Sequence, residues 1–538
     1  MIKELGTCDR DGRAGGARQI EPWRNRTADI PVGRTPQEDD RRARAIAKVG
    51  GNHRVIDASS LTTARRIMDE LFGPPSARSF AIRYWSAATD RAGERTTPCF
   101  TLVLSGPSAL RRMFLPPTER AVAEAFLHGD FDVEGDLEAA SALSDLLASR
   151  LREPARLVRV AGLLLRLPRR DAAARAHTLL DVGAPRPSAW APWRRLVAFG
   201  YRHARARDAR AIRHHYDAGN DFYELWLDPE HLAYSCAYFP NGDENLEAAQ
   251  SAKLEHICRK LRLRPGERLL DIGCGWGGLI RFAAVRYGVD AVGITLSEAQ
   301  ADVARSRIAQ VGLGERCRVE VMDYRDVPSA LTFDKVVSVG MFEHVGRAQL
   351  PSYFGAAMRL TRPGGLFLNH GIVSLDDARA RRAETAPARR MWGSGRFMDR
   401  YVFPDGELVP LATAIGAAEA AGFETRDVES LREHYAMTLR HWVARLERCA
   451  SDARASVGDM SYRVWRLYMA ASAHAFATAR ISVAQVLLAK PDASGACDHP
   501  ASRADLYLPV PARVSTGNPP RALGSRGDRR MCACGRLA

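Results

Sequence analysis

The stretch LLDIGCGWGG at 269–278 constrains this chain more than any other feature. A β-rich run ends at Asp271, four glycines follow at Gly273, Gly275, Gly277 and Gly278, and a segment with helical spacing comes next. Glycines at such a strand-to-helix turn let the backbone bend tightly and approach a ligand with no Cβ in the way. Around this loop, short β-rich runs at 268–273, 289–295, 317–322, 334–340 and 366–374 alternate with helical segments. That alternation predicts an α/β fold, a Rossmann-like parallel sheet with helices on both faces.

The glycine spacing satisfies GxGxxG, so a dinucleotide site has to be weighed. Such a site wants an acid at the end of the second strand for the ribose hydroxyls, and this chain has Thr295 there, in AVGITLSEAQ. An acid two residues before the first glycine of a GxGxG loop instead resembles the S-adenosylmethionine loop of Rossmann-like methyltransferases. A tight turn without a ligand is the bland alternative. Ser297 and Gln300 form an S-x-x-Q capping box that could explain both residues without any cofactor. Asp323, in VMDYRDV, could accept from an adenine amine or be an ordinary turn aspartate.

The remaining organisation is read from composition and period. Residues 1–52 and 491–538 read as unstructured tails, rich in Arg, Gly, Ser and Pro without periodicity. Residues 53–183 read as a smaller α+β N-terminal domain: a helix near 61–71, strands at 79–87 and 99–104, and helical patterns from Glu119 onward. Residues 184–214 form a basic connector, and 215–490 the catalytic domain. The apolar run 464–490 is expected to be one packed core helix, since His474, Arg480 and Gln485 interrupt it. No secretory h-region opens the chain, and no window approaches 18 uninterrupted apolar residues, so membrane contact would be peripheral.

Lys plus Arg number 78 against 63 Asp plus Glu, a net charge of +15, which suits an anionic partner without choosing one. Ten cysteines with no CxxC pair suggest a reducing compartment. Glu343, His344, His370 and Cys236 have no recognised zinc spacing, so no metal is assigned. Ends of parallel strands converge on one crevice, so Glu343 and His370 are expected near each other.

Several long motifs then occur in fixed order: HYDAGNDFYELWLDPEHLAYSCAYF at 215–239, the glycine loop, VGMFEHVG at 339–346, FLNHGI at 367–372 and EHYAMTLRHW at 433–442. Together they closely resemble the cyclopropane-fatty-acyl-phospholipid synthases and related mycolic acid cyclopropane synthases. The likeness runs over about 210–490, and GPSALRRMFLPPTERAVAEAFLHGDFDVEGDLEAA resembles the N-terminal domain of the longer, phospholipid-acting members.

The resemblance implies addition of a methylene from S-adenosylmethionine across a cis double bond of an unsaturated phospholipid acyl chain. An alkene is a poor nucleophile, and its methylation leaves a carbocation that water would capture. A dry pocket, near-attack geometry and aromatic faces are therefore needed. A base must also remove a proton so that the ring closes. Family members use bound bicarbonate, and its ligands carry over to Cys236, Glu343, His370, the backbone of Ile372, and Tyr435. Cofactor contacts carry over to Tyr234, Ser235, Asp271, Gly273, Gly275, Gly277, Thr295, Leu296, Gln300 and Asp323. Without the resemblance, Cys236 would be a small buried hydrophobe, His370 a satisfied core histidine and Tyr435 an ordinary half-buried tyrosine. LNHGI departs from the Leu before and Thr after the histidine of several relatives, so the pocket wall is expected to differ there.

A lipid C-methyltransferase forming a methyl or methylene branch, or a methyltransferase acting on another small molecule, stays open. The resemblance also implies a homodimer and no nucleic-acid partner. Location would be cytoplasmic, on the inner face of the membrane. Arginines through 194–213 could touch anionic headgroups or be a solvated face. The segment 376–410 is expected to cover the pocket as a lid.

Overall fold

The computed structural model describes residues 53–91, 93, 97–151, 153–169, 219–375, 396–403 and 406–508. The expected tail at 1–52, residues 509–538 of the expected tail at 491–538, the connector 184–214 with its arginines, and most of the expected lid lie outside the described residues.

The N-terminal part opens with helix α1 (His53–Phe72) and folds around a four-stranded sheet of order β2-β1-β3-β4. Its strands are β1 (Ala81–Arg83), β2 (Thr89–Asp90), β3 (Phe100–Leu104) and β4 (Phe131–Gly135). The expected strand at 79–87 is shorter, because Ala87 takes φ 63 and turns the chain back. Strand β4 falls where helical patterns were expected. Helix α2 (Glu119–Leu127), capped by the Thr118 side chain, stops there, and Gly129 at φ 72 reverses the chain into the strand.

The second sheet has seven strands in the order β10-β11-β9-β8-β5-β6-β7. They are β5 (Arg268–Ile272), β6 (Asp290–Thr295), β7 (Cys317–Val321), β8 (Phe333–Val339), β9 (Thr361–Ser374), β10 (Glu424–Ser430) and β11 (Ile481–Ala489). The five expected strands pair in parallel, but β11 runs antiparallel to both β9 and β10, so the sheet is mixed. Neighbouring residues face opposite layers. Leu269, Val337 and Leu368 enter one core, while Leu270, Val336 and Phe367 enter the other. Burial on both faces is why these strands read as continuous apolar runs.

The same fact overturns the expected helix at 464–490. Helix ends at Ala477, Ala479 takes φ 54, and residues from Ile481 form β11 in the interior of the sheet. A short apolar run buried on both sides carries no period that separates helix from strand. Residues 491–508, expected in a tail, run back along the sheet: the Asp498 carboxylate accepts from Lys335 at 3.2 Å and Arg362 at 2.5 Å.

Four more helices position the site. They are α3 (Leu246–Lys260), α4 (Gly278–Tyr287), α5 (Arg432–Arg448) and α6 (Ala450–Ala477), the last kinked at Gly458. Arg463 and Arg466 on α6 bind Asp132, and Arg466 also donates to the Val133 carbonyl at 3.0 Å. N-terminal and catalytic parts thus share one hydrophobic core, which runs from Ile67 and Phe126 to Trp442 and Trp465. Because β5 leads outward to β6 on one side and adjoins β8 on the other, the strand order reverses at its carboxyl end. Ligands of such sheets bind at that point.

Candidate active site

At that carboxyl end the glycine loop lines a cavity. Gly273 (φ 87) and Gly275 (φ 53) hold conformations that favour glycine, and a Cβ at Gly275 would meet no protein atom within 4 Å. Tyr234, Ser235, Asp271, Thr295, Leu296, Gln300 and Asp323 line the same cavity. Gly277 does not. A Cβ on it would lie 3.0 Å from Ala304, so it serves helix packing, and Gly278 takes the place at the cavity wall.

The capping reading of Ser297 and Gln300 holds only in half. Ser297 Oγ accepts the Gln300 N–H at 3.3 Å, but the Gln300 side chain turns to accept from Thr295 Oγ1 at 2.9 Å. Asp323 pairs with Arg325 through both carboxylate oxygens, at 2.8 and 2.6 Å, while still facing the cavity. Asp271 is buried with Oδ1 unpartnered, and burial pushes its pKa up to about 7 against the pull of Lys253.

Lys253 was missed in the sequence. It lies 2% exposed on the inner face of α3, lines the cavity, and donates to Ser235 Oγ at 3.0 Å. The available signal was a lone lysine beside Ala249, Gln250, Leu254 and Ile257 on an otherwise inward stripe.

The second group, Cys236, Glu343, His370 and Tyr435, does not line this cavity; their chain neighbours Ser235, Gly340, Met341 and His344 do. Strand β8 ends at Val339, and Gly340 N–H donates to the His370 carbonyl at 2.9 Å. Beyond it, β9 continues without that neighbour. The next N–H on the exposed edge, Ile372, donates to Glu343 Oε1 at 2.7 Å. Glu343 is delivered by a 3-10 turn, Phe342–His344, whose Phe342 ring packs where a Cβ on Gly371 would come within 2.9 Å. The Ile372 N–H is therefore engaged in holding Glu343. The departures in LNHGI face away from His370: Asn369 accepts from the Tyr353 hydroxyl at 2.7 Å, and Gly371 accommodates Phe342.

Glu343 Oε2 and His370 Nε2 are both buried and unpartnered. Burial raises the Glu343 pKa to about 7 and lowers that of His370 to about 3. Gln485, on β11 opposite His370, approaches Nδ1 with its amide nitrogen at 3.2 Å. With that amide donating, the imidazole is neutral and carries its proton on Nε2.

Cys236 and Tyr435 meet at one carbonyl. Leu431 O accepts the Tyr435 N–H at 3.0 Å and lies 3.7 Å from Cys236 Sγ. Leu431 N–H in turn donates to Val483, which pairs with Ile372. Complete burial pushes the Cys236 thiol well up, so it is a weak S–H donor and not a thiolate. Around this group stand Tyr223, Trp226, Tyr234, Trp442 and Trp465, with ring centroids 5.2 to 6.1 Å from aromatic neighbours. Among the described residues, no three His, Cys, Asp or Glu side chains are grouped to hold a metal ion. No described helix is long and apolar enough to cross a membrane.

Two unpartnered atoms, one an acceptor and one a donor, suit a small oxyanion carrying its own hydroxyl. The glycine-lined cavity with its lone carboxylate oxygen suits a nucleoside bearing an amine. The family model for mycolic acid cyclopropane synthetase matches residues 203–486. A probable fatty acid methyltransferase of Pseudomonas putida is 40% identical over 438 residues, 81% of this chain and 98% of its own. The cyclopropane-fatty-acyl-phospholipid synthase of Escherichia coli K12 is 37% identical over 278 residues, 52% of this chain and 67% of its own. The cyclopropane synthase MmaA2 from Mycobacterium tuberculosis superposes with a TM-score of 0.50 at 33% identity, covering 52% of this chain and 98% of its own. The matched span carries both the glycine loop and the strand ends that deliver Glu343 and His370, and the chain belongs to the mycolic acid cyclopropane synthetase family, as an S-adenosylmethionine-dependent methyltransferase.

Proposed function

We propose that this enzyme adds a methylene across the cis double bond of an unsaturated phospholipid acyl chain. The observation that carries the reading is the pair of buried, unpartnered atoms, Glu343 Oε2 and His370 Nε2, with Met341 and His344, the near chain neighbours of Glu343, on the cavity wall. S-adenosylmethionine, held by Tyr234, Ser235, Asp271, Gly273, Gly275, Thr295, Leu296, Gln300 and Asp323, supplies the electrophilic one-carbon unit. Bicarbonate, held by Glu343, His370, Cys236 and Tyr435, supplies the base. Ile372 acts through Glu343, whose carboxylate it fixes.

The chain's own groups do the rest. His370 donates a hydrogen bond while uncharged, and so adds no positive charge beside a sulfonium, while the Cys236 S–H is turned to the Ala237 carbonyl at 3.2 Å and the thiol contributes an uncharged wall. Glu343 accepts one, or donates one when protonated. The aromatic wall around Tyr234 excludes water and faces positive charge on the acyl chain with π electrons. Peripheral docking on an anionic membrane surface, a location on the cytoplasmic side, and a homodimer belong to the same proposal. So does the division into domains at 53–183 and 215–490.

A second reading is favoured by the 40% identity to a probable fatty acid methyltransferase over nearly all of that protein. In it the same core leaves a methyl or methylene branch on an alkene: the base takes its proton from the carbon that received the methyl, or, after a hydride shift, from the methyl itself, and no ring closes. Incubating purified protein with methyl-labelled S-adenosylmethionine and unsaturated phospholipid vesicles tests both. Label in acyl chains with upfield ring-proton NMR signals supports the first reading. Label with vinylic-methyl or exomethylene signals supports the second. Bound cofactor with unlabelled lipid overturns both.

A further inference from the structure

The cavity contains a cation with no counter-ion. Lys253 Nζ is bonded to a neutral hydroxyl, Ser235 Oγ, and no carboxylate lies within ion-pair distance of it among the described residues. The other cavity cation that could receive an anion, Arg325, is already committed to Asp323. Asp228, whose charge Lys253 feels, spends both oxygens on backbone N–H groups, Oδ2 on His231 at 2.7 Å and Oδ1 on Ala233 at 2.9 Å. Gln250, one turn before Lys253 on α3, donates to the carbonyls of Ala233 and Ser235 at 3.2 and 3.0 Å. The segment carrying Ser235 is thereby pinned over the lysine.

An ammonium buried without an anion is costly, and burial lowers the Lys253 pKa only to about 8. Its complement lines the same cavity: Asp271, with an unpartnered Oδ1. A buried lysine and a buried aspartate that do not pair with each other form a template for a zwitterion. We infer that Lys253 is the anchor for the carboxylate of the cofactor's amino-acid end, acting with Ser235, while Asp271 faces the ammonium of the same end. The inference rests on the cofactor reading above and not on the identity of the lipid acceptor. Lys253 thus sets where along the cavity the nucleoside is held, and hence where its sulfur sits relative to Glu343 and His370.

The test compares two ligands that differ only at that end. S-adenosylhomocysteine has the amino-acid group; 5′-methylthioadenosine keeps the thioether nucleoside and lacks it. Calorimetry on the full chain should show Lys253→Met weakening S-adenosylhomocysteine by about tenfold or more while methylthioadenosine stays within about twofold. Lys253→Arg, which keeps the charge, should restore most of the preference for the amino-acid-bearing ligand. Equal weakening of both ligands would overturn the inference in favour of a purely structural lysine, and so would an unchanged preference in Lys253→Met. Failure of wild-type protein to bind either ligand would sink the cofactor reading as well, which separates the two.

Discussion

Replacing Glu343 by glutamine should make the protein more stable and inactive, and the gain in stability should depend on pH in a calculable way. Burial raises the pKa from the ordinary 4.5 to about 7. The folded state therefore binds the proton more tightly than the unfolded chain. Below about 4.5 both states are protonated and nothing is lost. Between about 4.5 and 7 the unfolded chain ionises while the folded protein still holds its proton, so stability falls by about 3 kcal/mol in total, and above about 7 it falls no further. Glutamine mimics the protonated acid and still accepts from the Ile372 N–H, so it escapes this loss. Between pH 5 and pH 8 the stability difference, variant minus wild type, should widen by about 2 to 3 kcal/mol. Subtracting wild type cancels the similar contribution of Asp271, which is present in both proteins. Urea unfolding at several pH values measures the difference. Turnover of labelled cofactor into lipid should disappear, with affinity for S-adenosylhomocysteine nearly unchanged. A difference that stays flat with pH would refute the burial argument, and retained turnover would remove Glu343 from the mechanism.

Three further outcomes are expected. Gln485→Leu removes the amide that holds the His370 proton on Nε2, so turnover should fall sharply while S-adenosylhomocysteine affinity stays within about twofold, as calorimetry would show. Gly371→Ala places a methyl 2.9 Å from Phe342, and should cost about 1–3 kcal/mol in urea unfolding and reduce turnover by displacing the turn that delivers Glu343. Asp498→Ala strips Lys335 and Arg362 of a shared partner at the amino ends of β8 and β9, and should cost about 1–2 kcal/mol without changing turnover.

What was legible in the sequence follows from what leaves a local trace. The glycine loop did, because a tight strand-to-helix turn needs residues that tolerate positive φ, and Gly273, Gly275 and Gly277 all have it. Its finer reading did not: only packing tells that Gly277 faces Ala304 while Gly278 faces the cavity. The five parallel strands were visible as apolar runs between helices, whereas β11 was read as helix because a strand buried on both faces has no distinguishing period. The missing period also leaves Gln485 without a sequence signal. Read as a polar interruption in a helix, it is the residue opposite His370 in the sheet and the one that fixes the imidazole's tautomer. Glu343 and His370 could be brought together from strand ends alone, but the capture of Glu343 by the Ile372 N–H depends on β8 stopping before β9 does.

One physical regularity joins these residues. Burial pushes four titratable groups here toward their uncharged forms: Glu343 up, His370 down, the Cys236 thiol and the Tyr234 phenol up. Near pH 7 the compartment thus presents an uncharged imidazole, an uncharged thiol and π faces, with Glu343 at the midpoint of its titration. Lys253, at the cofactor side, keeps a pKa near 8. In water, a sulfonium and a bicarbonate a few ångströms apart would attract by only about 1 kcal/mol; in a less polar interior the same pair is held several times more strongly. A wall bearing fixed charges of its own would compete with that attraction, whereas neutral donors orient the anion and leave its charge directed at the reacting carbon. On the proposed reaction, the unpartnered atoms of Glu343 and His370 are stability given up so that hydrogen-bonding groups stand ready for the anion.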